Sequence, residues 1–161
     1  MSEHTISKLL DLSRISCGAT STSKKKSLQL IARLMEDWLG IDEDDDVDMD
    51  VMDALAARER LGCTGMGHGI AIPHGRVDFV TEPLGALITL DEAVDFDAPD
   101  EQPVDVVFGL LMPEDQTEEH LKILASLAKF FNAPENREAI RLSRSPQELI
   151  DIIAEAETRN L

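Results

Sequence analysis

Apolar residues recur at two periods along the chain. Leu28, Ile31, Leu34, Met35, Trp38 and Leu39 return every three or four positions, the spacing of one helix face. Ser23 stands where an N-cap belongs and Gly40 where a left-handed C-cap does, so this spacing predicts a helix between them. Val51, Leu55 and Leu61 mark the inner side of a second helix, running to about Arg60 and stopped by Gly62. Leu84 to Leu90 predicts a strand, and Val104 to Leu111 a second one. The latter is an almost continuous apolar run, as expected of a strand covered on both faces, and Pro113 closes it. A long helix follows, with Thr117 as N-cap, Glu118 and Glu119 in the first turn, and Leu121, Leu124, Leu127, Ala128 and Phe131 facing inward. Pro134 opens a shorter helix to about Leu142. Ser145-Pro146-Gln147-Glu148 predicts a capping box before a last helix carrying Leu149, Ile152 and Ile153 and fraying after Glu157. Ile6 to Leu12 is expected to form a helical turn or two, Cys17 to Ser23 a loop, and Asp91 to Pro103 an acidic, turn-rich connection.

Helices interleaved with short apolar strands imply an α/β/α sandwich, a mixed central sheet with helices on both faces. There is no internal repeat, low-complexity linker or second boundary, so residues 1–161 are expected to form a single domain. Composition narrows the partners. The formal net charge of −17 repels nucleic acid and anionic membrane surfaces, and favours solubility and a partner with a basic or apolar docking face. Tyrosine is absent, which leaves little for base stacking. No apolar run is long enough to span a bilayer, and Met1-Ser2-Glu3-His4 lacks the regions of a signal peptide. Cys17 and Cys63 make no disulfide framework, so reduced thiols and a cytoplasmic location are expected.

Two charged clusters invite sharper readings. Lys24-Lys25-Lys26 opens a helix, where the dipole disfavours it; a solvated basic patch is the reading favoured over contact with a neighbouring carboxylate. Asp42, Asp44 and Asp46 have the opening spacing of a calcium loop. Val47 stands where the turn needs glycine, and Asp53 where the closing glutamate belongs, so a solvated acidic loop leading into a helix is expected instead.

The chemistry concentrates in Gly65-Met66-Gly67-His68-Gly69-Ile70-Ala71-Ile72-Pro73-His74-Gly75-Arg76. Proline has no N–H and tends to end sheet pairing, and Gly75 leaves one side of the histidine bare. Such neighbours are expected to push the His74 imidazole outward and to admit another protein's backbone. Imidazole is both substantially neutral and substantially basic near pH 7. A neutral ring nitrogen can attack phosphorus, and phosphoryl transfer then asks mainly for positioning and positive charge. Arg76 and Arg58 are the candidate cations; the Thr64 hydroxyl and glycine N–H groups are candidate donors. Cys63 reads either as a thiol activated by nearby cations or as a small packed residue. His4 is given no role, and His68 reads as a loop histidine.

The run Gly-x-Gly-Ile-Ala-Ile-Pro-His-Gly, preceded by Arg58-Glu59-x-x-Gly62-x-Thr64-Gly65, resembles the type-2 enzyme IIA domain of the bacterial phosphoenolpyruvate-dependent phosphotransferase system. Gln102-Pro103-Val104-Asp105 and Asp115-Gln116-Thr117-x-x-His120-Leu121 resemble its later landmarks. Within the family the likeness is strongest to the stand-alone nitrogen-regulatory enzyme IIA. The resemblance implies that His74 carries phosphate on Nε2, that His120 is the second histidine of the site, and that Arg58 steadies the phosphate. It implies an HPr-like histidine phosphocarrier as donor, and regulated targets such as a kinase or transporter, with no cofactor and no metal. Cys63 departs from the serine common before Thr-Gly, and His68 from the family's frequent asparagine. The rivals are a sugar-specific enzyme IIA of the fructose or mannitol type serving a separate enzyme IIB, a pure interaction module, and a zinc hydrolase using His68, His74 and His120. Strand alternation weighs against the last, because it turns neighbouring side chains to opposite faces. No linker to a following domain is visible, which fits a free-standing regulator.

Overall fold

The computed structural model describes residues 6–41 and 50–159; His4 and positions 42–49 of the acidic loop lie outside them. Two short 3-10 turns, Ile6–Leu9 and Leu12–Arg14, lead into strand β1 (Ile15–Ala19). Helices α1 (Lys24–Leu39) and α2 (Val51–Arg60) follow. Strands β2 (Gly65–Gly67), β3 (Ile70–Ala71), β4 (His74–Val77), β5 (Leu84–Val94) and β6 (Val104–Pro113) build most of the sheet. Helices α3 (Thr117–Asn132), α4 (Pro134–Leu142) and α5 (Pro146–Arg159) complete the described chain.

The sheet is mixed, in the order β1-β5-β6-β3-β2, with β4 also paired to β6. β5 and β6 are antiparallel, while β3 and β4 run end to end along the other edge of β6, both parallel to it. The period of two in β6 sorts its residues into two cores. Val106, Phe108, Leu110 and Met112 join the core with α3, α4, α5 and the N-terminal turns; Val107 and Leu111 join the core with α1 and α2, and Val104, at the strand's start, joins the second core out of that alternation. Helices therefore cover both faces, as the interleaved pattern predicts.

The caps of α1 are as expected. The Ser23 side chain accepts the Lys26 N–H, and Gly40 takes the left-handed conformation at φ 74. Asp50 caps α2 through a reciprocal box with Asp53, so these two acids serve a helix start. At α5, Ser145 accepts the Glu148 N–H at 3.2 Å, but the Glu148 carboxylate accepts from Arg144, one residue earlier than a standard box.

Several expectations need correction. Residues 15–19 form a strand, so the expected loop does not begin at Cys17: Ile15, Ser16 and Ala19 pair in parallel with β5, and the register shifts across Cys17 and Gly18 between them. β5 runs on to Val94, into the region expected to be turns. Trp38 is 52% exposed, its ring stacked under the Arg14 guanidinium at 4.6 Å, and Leu61 is 85% exposed. The inner face of α3 is Ile123, Leu127, Phe130 and Phe131 together with His120, which leaves Leu121 61% exposed. A one-position rotation of the face accounts for this, since 100° per residue swaps the two neighbours. Thr117 is the first residue of that helix; its N-cap is Gln116, which makes no side-chain capping bond.

Candidate active site

His74 starts β4 and does not stand in a loop. Pro73 lacks an N–H, yet pairing continues across it: its carbonyl accepts the Leu110 N–H at 2.9 Å, and His74 lies opposite Leu110. The proline thus interrupts only the donor side of the ladder. The same local geometry sets the ring. His74 Nδ1 lies 2.8 Å from the Ile72 carbonyl, which only accepts, so Nδ1 carries the proton. Arg58 Nε–H donates to His74 Nε2 at 3.2 Å, so Nε2 holds the free lone pair. Both bonds demand the same neutral tautomer.

The second imidazole arrives from the far side of the sheet. β6 ends at Pro113, and the first turn of α3 brings His120 back against His74, ring centroids 5.3 Å apart and edge-on at 74°. Arg76, two residues along β4, donates from Nε to His120 Nδ1 at 3.5 Å and from a terminal nitrogen to the Thr117 hydroxyl at 3.3 Å. An acceptor at Nδ1 leaves His120 Nε2 as the donor nitrogen. The site lies near the end of β6, where His74 opens the parallel strand β4 opposite Leu110 and α3 begins, with no side chain capping that helix's first turn. Such helix ends favour anions.

Electrostatics keep both rings neutral. Burial pushes the His74 pKa down; the Ile72 carbonyl pulls it up, Arg58 and Arg76 push it down and Glu59 pulls it up. Burial pushes His120 to about 4, reinforced by His74, Arg76 and Arg58. The permanent positive charges at the site are therefore guanidinium groups, which do not titrate near neutral pH.

The remaining candidates divide. Thr64 is close to the site's framework, but its hydroxyl donates to Glu59 at 2.7 Å and its N–H to the same carboxylate at 2.9 Å. Gly75 is buried against α2, where an added Cβ would lie 3.1 Å from Ala54 Cβ. Its bareness admits this chain's own helix, not a partner's backbone. The Cys63 thiol donates to the Phe96 carbonyl at 3.1 Å, and its sulfur accepts the Gly65 N–H at 3.2 Å. It thus serves as a partly buried loop anchor. His68 turns at φ 57 between β2 and β3 and stays apart from His74. Its N–H donates to Asp100 at 2.9 Å and its carbonyl accepts from Arg141, at the end of β6 opposite the site. The three histidines do not converge, and among the described residues no three His, Cys, Asp or Glu groups are placed to hold a metal ion.

Sequence reasoning missed the support structure. Lys24 is no free patch; its ammonium lies 2.8 Å from a Glu59 oxygen. Glu59 and Thr64 stood in the run that carries the resemblance, but nothing in their spacing of five residues showed that one bonds the other. Thr117 shows its role only through Arg76, 41 residues away in sequence.

Similarities to known proteins identify the family. The family described as "Phosphoenolpyruvate-dependent sugar phosphotransferase system, EIIA 2" matches residues 8–156. A nitrogen regulatory protein from Klebsiella oxytoca is 40% identical over 139 residues, covering 86% of this chain and 83% of that protein. The fructose-specific EIIA component of Haloferax volcanii is 33% identical over 150 residues, covering 93% and 95%. The crystal structure of nitrogen regulatory protein IIA-Ntr from Neisseria meningitidis superposes with a TM-score of 0.83 at 40% identity, covering 92% of this chain and 98% of that one. No helix among the described residues is long and apolar enough to cross a membrane. With its mixed sheet covered on both faces, and with the match running through nearly all of its length, the chain belongs to the EIIA type-2 family of the phosphoenolpyruvate-dependent sugar phosphotransferase system.

Proposed function

We propose that His74 is the phosphoryl acceptor of this EIIA chain and that residues 1–161 act as one phosphocarrier domain. The observation that carries the reading is the pair of bonds on the His74 ring. Ile72 holds the proton on Nδ1 and Arg58 faces Nε2, which leaves a neutral ring with its lone pair toward the cations. Nε2 attacks the phosphorus of an HPr-like histidine phosphocarrier. The new bond is N–P; the donor's N–P bond breaks and its electron pair returns to the donor ring. Arg58 shifts its hydrogen bond from Nε2 to a phosphoryl oxygen, Arg76 adds a second positive charge, and His120 Nε2–H donates to another oxygen. Imidazole is both leaving group and acceptor, so the group passes without large loss.

The role is regulatory, controlling targets such as a kinase or transporter in the cytoplasm through the phosphorylation state of His74. Nitrogen regulatory relatives at 40% identity support it. The fructose-specific relative at 33% supports a second reading, transfer to a separate sugar-specific EIIB. Intact mass after incubation with phosphoenolpyruvate and the donor system tests the acceptor. The expected result is one acid-labile phosphate on wild type and none on His74→Ala. An undiminished adduct on the variant refutes the assignment. Rapid loss of the phosphate to an added fructose- or mannitol-type EIIB would favour the second reading.

A further inference from the structure

The end of α2 grips the loop that follows it from two sides. Arg58 donates from a terminal nitrogen to the Gly62 carbonyl at 2.8 Å, and this bond orients the fork whose Nε meets His74. The next residue, Glu59, holds the other end of the loop. Its carboxylate accepts the Thr64 N–H at 2.9 Å on one oxygen and the Thr64 hydroxyl at 2.7 Å on the other. The Lys24 ammonium, at the start of α1, lies 2.8 Å from the first of these oxygens. Lys24 also donates to the Phe96 carbonyl, the group that anchors Cys63. The Glu59 side chain is only 6% exposed. Burying an ionised carboxylate is costly unless it is paired and hydrogen-bonded, and this one has three donors, one of them a cation. Burial acts to raise the Glu59 pKa, but Lys24 and the two Thr64 bonds outweigh it and hold the group ionised.

We infer that Glu59 is a positioning residue for phosphoryl acceptance, tying the Gly62–Thr64 loop between α1 and α2 so that Arg58 stays aimed at His74 Nε2. Glu59 touches neither the ring nor any transferred group. It acts through the loop, by fixing the carbonyl to which Arg58 is tethered, and through its charge, which favours a proton on His74. The ligand-free site is thus pre-organised by an acid that carries no phosphate chemistry itself. This inference rests on the reading of His74 as the acceptor.

Two variants separate the loop effect from the charge effect. Glu59→Gln removes the charge; its amide oxygen can keep Lys24 and the Thr64 N–H, while its NH2 group faces the Thr64 hydroxyl and turns that bond round. Thr64→Val removes one bond and leaves the charge in place. Phosphate acceptance from the donor system is timed for both, and the His74 ring is titrated by NMR in the unphosphorylated proteins. Glu59→Gln is expected to slow acceptance between about tenfold and a hundredfold, the penalty of a displaced positioning group, and to lower the His74 titration midpoint. Thr64→Val is expected to slow acceptance less and to leave the midpoint unmoved. Acceptance at the wild-type rate in both variants overturns the inference while the acceptor reading stands. So does slow acceptance in Glu59→Gln with an unmoved midpoint and a fall in urea midpoint, which is the mark of a merely structural residue. A wild-type protein that takes no phosphate overturns the acceptor reading first, and this inference with it. Should Glu59→Gln fail to fold, Thr64→Val decides alone: a wild-type rate overturns the loop tie, and a reduced rate with an unmoved midpoint supports it.

Discussion

Adding one methyl group at Gly75 tests whether its bareness serves the fold. A Cβ there would lie 3.1 Å from Ala54 Cβ and 3.2 Å from both the carbonyl carbon and the carbonyl oxygen of Ala54. Two of these three atoms are helix backbone, which cannot rotate aside. Relief requires α2 to retreat as a body by a few tenths of an ångström. Overpacking of this kind costs about 1–3 kcal/mol. Against it stands the loss of unfolded-chain freedom when glycine becomes alanine, worth about 0.4–1 kcal/mol in the other direction. The net expectation for Gly75→Ala is destabilisation by about 1–2 kcal/mol. In urea, with m near 2 kcal/mol/M, the midpoint falls by roughly 0.5–1 M and m stays constant. Arg58 lies one turn beyond Ala54 on the same face of α2, so the retreat also draws Arg58 from His74 Nε2 and slows phosphate acceptance. A midpoint equal to or above wild type refutes the packing argument. If that equality came with slowed transfer, the bare side of His74 would serve a partner's approach instead.

Two further outcomes follow from the site. His120 titrates at about 4 when folded against an ordinary value of 6.5, so the unfolded chain binds the proton first as pH falls. Its contribution to stability is complete above pH 6.5 and is lost progressively between 6.5 and about 4, with a slope of up to ~1.4 kcal/mol per pH unit from this one group. Urea midpoints measured across that range should show a shallower acid decline for His120→Gln, and parallel curves would refute the assignment. Leu121 is 61% exposed beside His120 and Leu61 is 85% exposed beyond Arg60. Leu121→Asp and Leu61→Asp are therefore expected to leave the stability read from urea unfolding within about 0.5 kcal/mol of wild type. Steady-state transfer should show a raised KM for the phosphorylated donor with little change in kcat, and a fall in kcat alone would exclude these residues from docking.

What was legible in the sequence was what one element decides for itself. Ser23 and Gly40 bracket α1 because capping is local, and the apolar run from Val104 to Leu111 states its own burial on both faces. The motif around His74 was legible because its residues are consecutive. Errors fell where a distant element decides. β1 is a strand only because β5 offers it an edge, and Trp38 stays half exposed at the surface, where Arg14 from the N-terminal turns stacks on its ring. The rotation of α3 that buries His120 and exposes Leu121 depends on what the sheet presents to that helix. The Lys24–Glu59–Thr64 tie was illegible for the same reason, since its three members sit on α1, α2 and the loop after it.

The distribution of charge at the site argues for what a partner would read. The chain carries −17 overall, yet the groups facing His74 are two guanidinium cations, while the nearest acid, Glu59, is matched by Lys24. Unphosphorylated, His74 sits in a small positive island on an acidic protein. A phosphoryl group brings about −1.5 to −2 charges near neutral pH, close to the sum of the two arginines with opposite sign. Phosphorylation of His74 would then erase the island rather than build a negative one. Before transfer burial and the two arginines hold both imidazole pKa values down, so the island's charge comes from guanidinium groups. A partner that prefers the free form is expected to place a carboxylate against Arg58 or Arg76, and its binding should weaken with salt. A partner that prefers the phosphorylated form is expected to meet a nearly neutral patch, with affinity nearly independent of salt. Affinities measured at two ionic strengths in both states distinguish these cases, and a salt dependence unchanged by phosphorylation would refute the charge argument.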